Sequence, residues 1–339
     1  MSPLDFAYAA IARARRRRLG RPDRQRRLQR PVVSVGNLAV GGSGKTPTTA
    51  FLARLLVEAG EVPAILSRGY GRQTPEDGVT VVNDGHGLAA DVARAGDEPF
   101  MLARALPGVR VVVSPDRYLA GRLAETHLKA TVHVLDDGFQ HFVLARQIDL
   151  LLVDAEELVR PRTLPGGRLR EPLDAARAAH AVVVSGGAPE EVAERLRVPR
   201  AFALMREVEP AVEETVDGPI ALPVGARVFA VSGIARPERF LTETANGGYE
   251  LAGALALRDH HSFSARDIAH IAERAAGAGA SVVLVTEKDF VRLLPWRPWP
   301  FRVAVRPLRV RVEPAAGFAA WLLDRLEEAR TAATPGGAT

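Results

Sequence analysis

The residues best placed to do chemistry are Lys45 and Thr46, which close the run Ala39-Val40-Gly41-Gly42-Ser43-Gly44-Lys45-Thr46. The run follows the apolar, β-branched stretch 32–35 and precedes a helix-forming segment, so it reads as strand, glycine-rich turn, helix. Such a turn can wrap its backbone N–H groups around the phosphates of a nucleotide such as ATP, with the helix N-terminus behind them. Lys45 would reach the β- and γ-phosphates, and Thr46 would put its hydroxyl on Mg²⁺. Gly41, Gly42 and Gly44 allow the tight turn, with Ser43 between them. Ala39 stands where the pattern usually has glycine. A glycine-rich turn that binds nothing is the alternative, and the strand before it and the helix after it argue against that.

Further candidates lie where other strands should end. Residues 132–135 form an apolar stretch that runs into Asp136-Asp137-Gly138-Phe139-Gln140-His141. Ligands bind at the C-terminal edge of a parallel sheet, and an acidic residue there commonly holds Mg²⁺ beside a phosphate loop. Two adjacent carboxylates are costly without a cation or a basic partner, although a plain Asp-rich turn would look similar. In Gly96-Asp97-Glu98-Pro99, Asp97 either caps the following helix, or it or Glu98 faces the phosphates. Phosphoryl transfer to an alcohol needs such a group to accept or orient the hydroxyl proton. Arg117, in Ser114-Pro115-Asp116-Arg117, adds a cation at the same rim. In the second half, Arg258-Asp259-His260-His261-Ser262-Phe263 sets a carboxylate beside an imidazole that it could orient near its working pKa. Thr286-Glu287-Lys288-Asp289 also follows a strand, with a charged helix cap as the alternative reading. With no cysteine and eight histidines, a zinc centre is not expected.

The elements that must carry these residues alternate. Strands are expected at 32–35, 62–67, 79–82, 109–114, 132–135 and 148–153, and helices at 48–58, 88–94, 98–106 and 118–127. Continuous apolar strands between helices imply a mostly parallel sheet covered on both faces, an α/β fold of the P-loop NTPase type. Residues 160–172 are rich in Arg, Pro and Gly and read as a boundary or a substrate loop. Beyond them a second, smaller α/β domain is expected, with strands at 181–184, 201–204, 228–231, 249–252, 282–285 and 303–305. The expected division is an N-terminal segment 1–30, a nucleotide-binding domain 31–154 and an acceptor-binding domain 155–314. A last helix near 315–331 is free to pack back on the first domain, and the tail from Ala332 is expected to fray.

Composition bounds the function. The 339 residues are 47% apolar, which indicates folded globular structure. The formal net charge is +5, yet residues 1–30 hold ten arginines against Asp5 and Asp23, about +8, leaving the rest of the chain about −3. A nucleic-acid arm is one reading of that patch. Four tyrosines and three tryptophans in the whole chain do not suggest a base-stacking surface, and no nucleic-acid partner is expected. Ahead of the arginines, Leu4, Ala7, Tyr8 and Ile11 recur at helical spacing, widened by Phe6 and Ala10. An apolar face followed by arginines suits a helix lying in the headgroup region of an anionic membrane. A helix simply packed on the domain is the other reading. No run of 18 apolar residues exists to span a bilayer.

Taken together, these segments resemble the tetraacyldisaccharide 4′-kinases, the lipid A 4′-kinases of Gram-negative bacteria. The most specific matches are Ser67-Arg68-Gly69-Tyr70-Gly71-Arg72 and Asp136-Asp137-Gly138-Phe139-Gln140-His141. Gly167-Arg168-Leu169-Arg170-Glu171-Pro172 and Asp259-His260-His261-Ser262-Phe263 extend the resemblance over most of the chain. It implies transfer of the γ-phosphate of ATP, with Mg²⁺, to the 4′-hydroxyl of an acylated glucosamine disaccharide 1-phosphate. It also implies a monotopic protein, expected to be monomeric, at the cytoplasmic face of the inner membrane. The family's loop Lys and Thr fall on Lys45 and Thr46, its proposed catalytic Asp on Asp97 with Glu98 beside it, and its catalytic His on His260. Its paired acids fall on Asp136 and Asp137, and its Arg-Glu loop pair on Arg170 and Glu171. Arg72, Arg117 and Gln140 join these two as expected substrate contacts. Glu98, Asp136, Asp137 and Thr46 are the expected metal contacts. Ser43 occupies a position that is often Thr, and Arg292 one where Lys is common. A membrane-associated P-loop ATPase or nucleotide switch is the rival class.

Overall fold

The computed structural model describes residues 3–42 and 44–333. Ser43 lies outside the described residues, as does the tail from residue 334. Helix α1 (Pro3–Leu19) leads to β1 (Val32–Asn37), the phosphate-loop segment and α2 (Lys45–Glu58). Next come β2 (Pro63–Ser67), β3 (Thr80–Asn83), the single turn α3 (Val92–Ala95), α4 (Asp97–Ala105), β4 (Arg110–Val113), α5 (Arg117–Thr126), β5 (Val132–Asp136) and β6 (Ile148–Asp154). After the 155–180 connection the chain forms β7 (Ala181–Ser185), α6 (Pro189–Leu196) and β8 (Ala201–Val208). The second half adds β9 (Val212–Thr215), β10 (Gly218–Ala221), β11 (Arg227–Ser232), α7 (Pro237–Asn246), β12 (Glu250–Ala256), α8 (Ala265–Gly277), β13 (Val282–Thr286), α9 (Glu287–Leu293) and β14 (Val303–Arg306). The chain ends with β15 (Leu308–Glu313) and α10 (Ala315–Ala333).

Nine strands form the first sheet in the order β15-β8-β7-β6-β1-β5-β2-β4-β3. All neighbours are parallel except the two edges, β3 against β4 and β15 against β8. Strand β1 lies between β5 and β6, so the phosphate loop leaves the sheet where the chain's path diverges to both sides, the usual place for a ligand in an open α/β sheet. Its residues and those of β5 and β6 are buried on both faces, which explains why Val, Leu and Ile dominate them. The second sheet has six strands, β10-β9-β14-β13-β11-β12, with β14, β13, β11 and β12 parallel. Helix α8 covers one face with Ile268, Ile271 and Ala275, and begins at a reciprocal Ser264–Asp267 capping box.

The division of the chain differs from the expectation. Strands β7 and β8, assigned from sequence to the second domain, extend the first sheet, and β15 returns to complete it. The chain crosses between sheets at 208–212 and again at 306–308, where the Glu209 N–H donates to the Pro307 carbonyl at 3.0 Å. Segment 160–172 is therefore no boundary. It folds back beside β1, where the Arg170 N–H donates to the Leu38 carbonyl and Leu169 bridges Ala39. Apolar runs show that strands exist but not which sheet receives them, because β7 and β13 are equally Val-rich. Helix α10 packs on the first sheet, with Phe318 buried among Phe51, Phe202 and Trp321. The helix expected at 88–94 shrinks to α3, because Leu88 instead bridges Asn83 beside β3.

Two glycines set the site's geometry. Gly96 has φ +88°, and a Cβ there would stand 2.8 Å from the Tyr70 carbonyl oxygen. It joins α3 to α4 and brings the Arg68–Arg72 turn against the start of α4. At Gly36 in β1, a Cβ would meet the Phe139 Cβ at 2.5 Å and its N at 2.7 Å. Only glycine lets the loop after β5 lie this close to β1. Gly36→Ala is expected to cost about 1–3 kcal/mol by overpacking, read as a lowered denaturant midpoint. An unchanged midpoint would contradict this close contact.

Candidate active site

One cleft of about 1030 Å³ runs between the sheets at the C-terminal ends of β1, β5 and β13. Its walls carry Gly41, Gly42, Gly44, Lys45, Thr46, Glu98, Arg117, Asp136, Asp137, Gln140, Arg170, Glu171 and His260, so most of the residues singled out from sequence do converge. Ala39 does not face it but packs with Leu38 and Leu169. Arg72 and Asp97 do not line it either: the Arg72 side chain is tucked under Gly69, with Arg68 and Tyr70 of the same turn reaching the cleft instead, and Asp97 stands behind His260, its Oδ2 3.6 Å from ring Nδ1.

At the phosphate loop, Gly44 adopts φ +83° as the residue before α2, a left-handed conformation that favours glycine. Lys45 Nζ donates to Asn37 Oδ1 at 3.1 Å and lies 3.9 Å from Asp137 Oδ1. Asp137 is itself clamped by Arg170, whose two terminal nitrogens donate at 2.9 and 2.8 Å, the bidentate geometry that suits guanidinium and carboxylate. Burial pushes the Asp137 carboxyl up, but Arg170 and Lys45 together hold it below the usual carboxylate range. Asp136 behaves oppositely. Burial, with Glu98 and Asp137 nearby, pushes its carboxyl up to about 7, although Thr49 donates to it at 3.1 Å. A cluster of carboxylates this poorly compensated favours a cation. Among the described residues no three Asp, Glu, His or Cys side chains converge to hold a metal alone.

Further along the cleft the charge turns positive. Arg117 is buried, and burial together with Arg68 lowers its pKa to about 10. His141 is pushed down to about 4 by burial, then by Arg117 and Arg146. This end of the cleft is built for an anion.

The second sheet supplies the opposite wall. His260 sits at φ +58° after β12, and its ring makes an edge contact with Tyr70, centroids 5.0 Å apart. The expected orienting role of Asp259 takes a different form. Asp259 Oδ1 accepts from the His260 backbone N–H at 3.0 Å but is 4.0 Å from ring Nε2. The closer ring partner is Lys288, whose Nζ lies 3.0 Å from Nε2. Ring Nδ1 lies 3.3 Å from Arg292 Nη2 and 3.6 Å from Asp97 Oδ2, so the imidazole is held between two cations and a carboxylate. Lys288 also pairs with Glu98 at 3.2 Å.

Asp97 opens α4 after the Gly96 cap and makes no capping bond, so the capping alternative fails. Its Oδ2 accepts from Arg292 Nε at 2.6 Å. Burial pushes Asp97 up, but His260, Arg292 and Lys288 together leave it below the usual range. Arg292 is in turn fixed by the buried Asp289 at 3.1 Å and by the Gly233 carbonyl at 2.9 Å. Lys288, Arg292 and Asn37 are functional candidates that the sequence reading did not place. Lys288 had a signal in the strand-end Thr-Glu-Lys-Asp segment. That segment is also the helix start its alternative reading described, since Thr286 Oγ1 accepts from the Asp289 N–H. Arg292→Gln is expected to move the acid limb of kcat/KM to higher pH, because Asp97 loses its nearest cation. Arg292→Lys should shift it less. An acid limb identical to the parent's in both variants would show that Arg292 does not tune Asp97.

A phosphate loop on a mostly parallel sheet, with acids at the adjoining strand end and a second α/β sheet closing the cleft, defines a P-loop nucleotide enzyme. A family model described as tetraacyldisaccharide-1-P 4′-kinase (LpxK) matches residues 1–327, and the chain belongs to that family. It is 38% identical over 306 residues to the tetraacyldisaccharide 4′-kinase of Desulfotalea psychrophila, covering 86% of each chain. It is 41% identical over 272 residues to that of Geobacter sulfurreducens, covering 79% of this chain and 76% of the relative. The crystal structure of LpxK from Aquifex aeolicus in complex with ATP superposes with a TM-score of 0.75 at 30% identity, over 96% of this chain and 98% of that one.

Proposed function

We propose that this chain transfers the γ-phosphoryl group of ATP to the 4′-hydroxyl of a tetraacylated glucosamine disaccharide 1-phosphate, giving the bis-phosphorylated lipid. The observation that carries this reading is a single cleft holding Lys45 and Thr46 on one wall and His260, backed by Asp97, on the other. ATP would lie with its phosphates on the loop formed by Gly41, Gly42, Ser43 and Gly44, and with Lys45 at the β- and γ-phosphates. Thr46, Glu98 and Asp136 are suited to hold Mg²⁺, since Arg170 already occupies both Asp137 oxygens. Bound there, the ion would neutralise charge on the phosphates. The acceptor oxygen forms the new bond to γ-phosphorus, the bond to the β,γ-bridging oxygen breaks, and ADP leaves. Asp97, ionised at neutral pH, takes the hydroxyl proton, and His260 positions that hydroxyl. Arg117 and Gln140 face the anionic acceptor, while Arg170 and Glu171 fix the loop beside it. The two sheets act as lobes that close over the substrates and exclude water. The test is ADP release with and without acceptor. Strict acceptor dependence supports transfer, whereas equal release without acceptor supports the ATPase or switch.

We place the protein, as a monomer, on the cytoplasmic face of the inner membrane through α1. Among the described residues no helix is long and apolar enough to cross a membrane. The docked face of α1 carries buried Asp5 and Ala9, with Arg162 Nη2 donating to Asp5 at 2.9 Å. Its apolar residues Leu4, Phe6 and Ile11 point outward, 66, 61 and 68% exposed. Tyr8, Ile11 and Arg15 also line the cleft, so an acceptor held in a bilayer could reach the site past this helix. Replacing Leu4 and Phe6, which do not line the cleft, by Ser should reduce flotation with anionic vesicles severalfold while sparing turnover of a water-soluble acceptor. Equal flotation of parent and variant would place the anchor elsewhere.

A further inference from the structure

We infer that Arg16, one of the ten arginines of the N-terminal segment, is a positioning residue that ties helix α1 to the phosphoryl-transfer site. The inference rests on the function proposed above. Basic residues beside an apolar helix face would be expected to point at anionic lipid, but Arg16 points inward. Its Nε and Nη2 donate to Glu171 Oε2 and Oε1 at 2.6 and 2.9 Å, a two-pronged pair in which Glu171 is only 4% exposed. The guanidinium also lies over two rings, 4.5 Å from the Phe139 centroid and 4.7 Å from that of Phe142. Both rings belong to the loop that follows Asp136-Asp137.

From Glu171 the contacts lead directly to the phosphate loop. Gln140 Nε2 donates to Glu171 Oε1 at 3.0 Å and to the Asn37 carbonyl at 2.9 Å. The side chain of that same Asn37 accepts from Lys45, and Arg170, next to Glu171 in the chain, clamps Asp137. Arg16 thus fixes the carboxylate that accepts from Gln140 and that adjoins Arg170 in the chain, and stacks on two rings of the loop that follows Asp137. Its planar fork and its stacking face both matter, and a lysine reproduces neither. Removing Arg16 would leave Glu171 buried with Gln140 alone and let Arg170 and Asp137 drift. A displacement of about 1 Å in such groups can cost around 100-fold in rate.

Arg13 provides the control. It lies one turn earlier on α1 and makes a single exposed pair with Asp174 at 2.8 Å, away from this chain of contacts. The experiment measures kcat and KM for ATP with a water-soluble, short-chain acceptor, alongside vesicle flotation and Tm, for Arg16→Gln, Arg16→Lys and Arg13→Gln. Arg16→Gln should lower kcat by about tenfold or more, with KM for ATP within about twofold of the parent's and flotation unchanged. Arg16→Lys should fall between Arg16→Gln and the parent in kcat, and Arg13→Gln should match the parent. A kcat in Arg16→Gln equal to the parent's would overturn the inference, as would a loss only in flotation. If Arg16→Gln does not fold, a parent-like kcat in Arg16→Lys overturns it instead. Failure of the parent itself to turn over the acceptor would count against the proposed function and not against this link.

Discussion

Lys45→Ala is expected to remove nearly all transfer while leaving the fold intact. Lys45 is the first residue of α2, and its ammonium is held ready by Asn37 at 3.1 Å with Asp137 3.9 Å away. Charge that builds on the transferring phosphoryl group meets a cation already in place, with no reorganisation left to make. Loss of one such preorganised group typically costs about 10²–10³-fold in kcat. The variant also leaves Asp136, Asp137 and Glu98 with one fewer cation, so nucleotide affinity should fall as well. The Lys45 stem is not part of the apolar core, so Tm should move little. Turnover at saturating ATP decides the matter. A value within a few-fold of the parent's would show that this loop is not the nucleotide site.

Asp97→Ala and His260→Ala should each lower kcat far more than they raise KM for ATP. His260 lines the cleft opposite the phosphate loop with Asp97 behind it, and in the proposed mechanism both act mainly in the transition state. Asp97 is ionised because Arg292 and His260 offset its burial, and His260 is held by Lys288 on one nitrogen and faces Asp97 with the other. Groups joined in one network do not act independently. The double variant should therefore lose less than the product of the two single-variant factors. A pure KM effect with kcat intact in either single variant would reassign that residue to binding.

Both expectations start from residues that were legible in the sequence, because each sits where a strand stops and a glycine or an acid begins. Lys45, Asp97, Asp136 and His260 are singled out in this way. Their partners were not legible. Arg292 acts on Asp97 across 195 positions of sequence, and nothing local to α9 signals that its outer turn faces α4. Lys288 was visible as a charge at a strand end, but its contact with His260 needs both elements in place. Arg72 was misplaced for a similar reason. The Arg-Gly-Tyr-Gly-Arg turn offers two arginines, and only the close approach of Gly69 and Gly96 sends Arg68 and not Arg72 to the cleft. The sheet assignment failed at β7 and β8 because strand composition reports burial and not neighbours. The return of β15 depends on a crossover at 306–308 that no composition shift marks. On α1 the apolar spacing singles out residues such as Leu4 and Ile11, which stay exposed, while the face that docks is the one bearing Asp5 and Arg16. A buried carboxylate and a two-pronged arginine fix that helix more specifically than apolar contact alone.

The measurement that bears most directly on the central claim is the structure of the product. Purified protein, Mg²⁺, ATP and the tetraacylated disaccharide 1-phosphate are combined in detergent micelles, and the lipid is examined by phosphorus NMR and mass spectrometry. The account predicts one added phosphomonoester, on the 4′ oxygen, formed in step with ADP and absent with Lys45→Ala. Loss of ATP with the lipid left singly phosphorylated, or a phosphate added at another position, would contradict it.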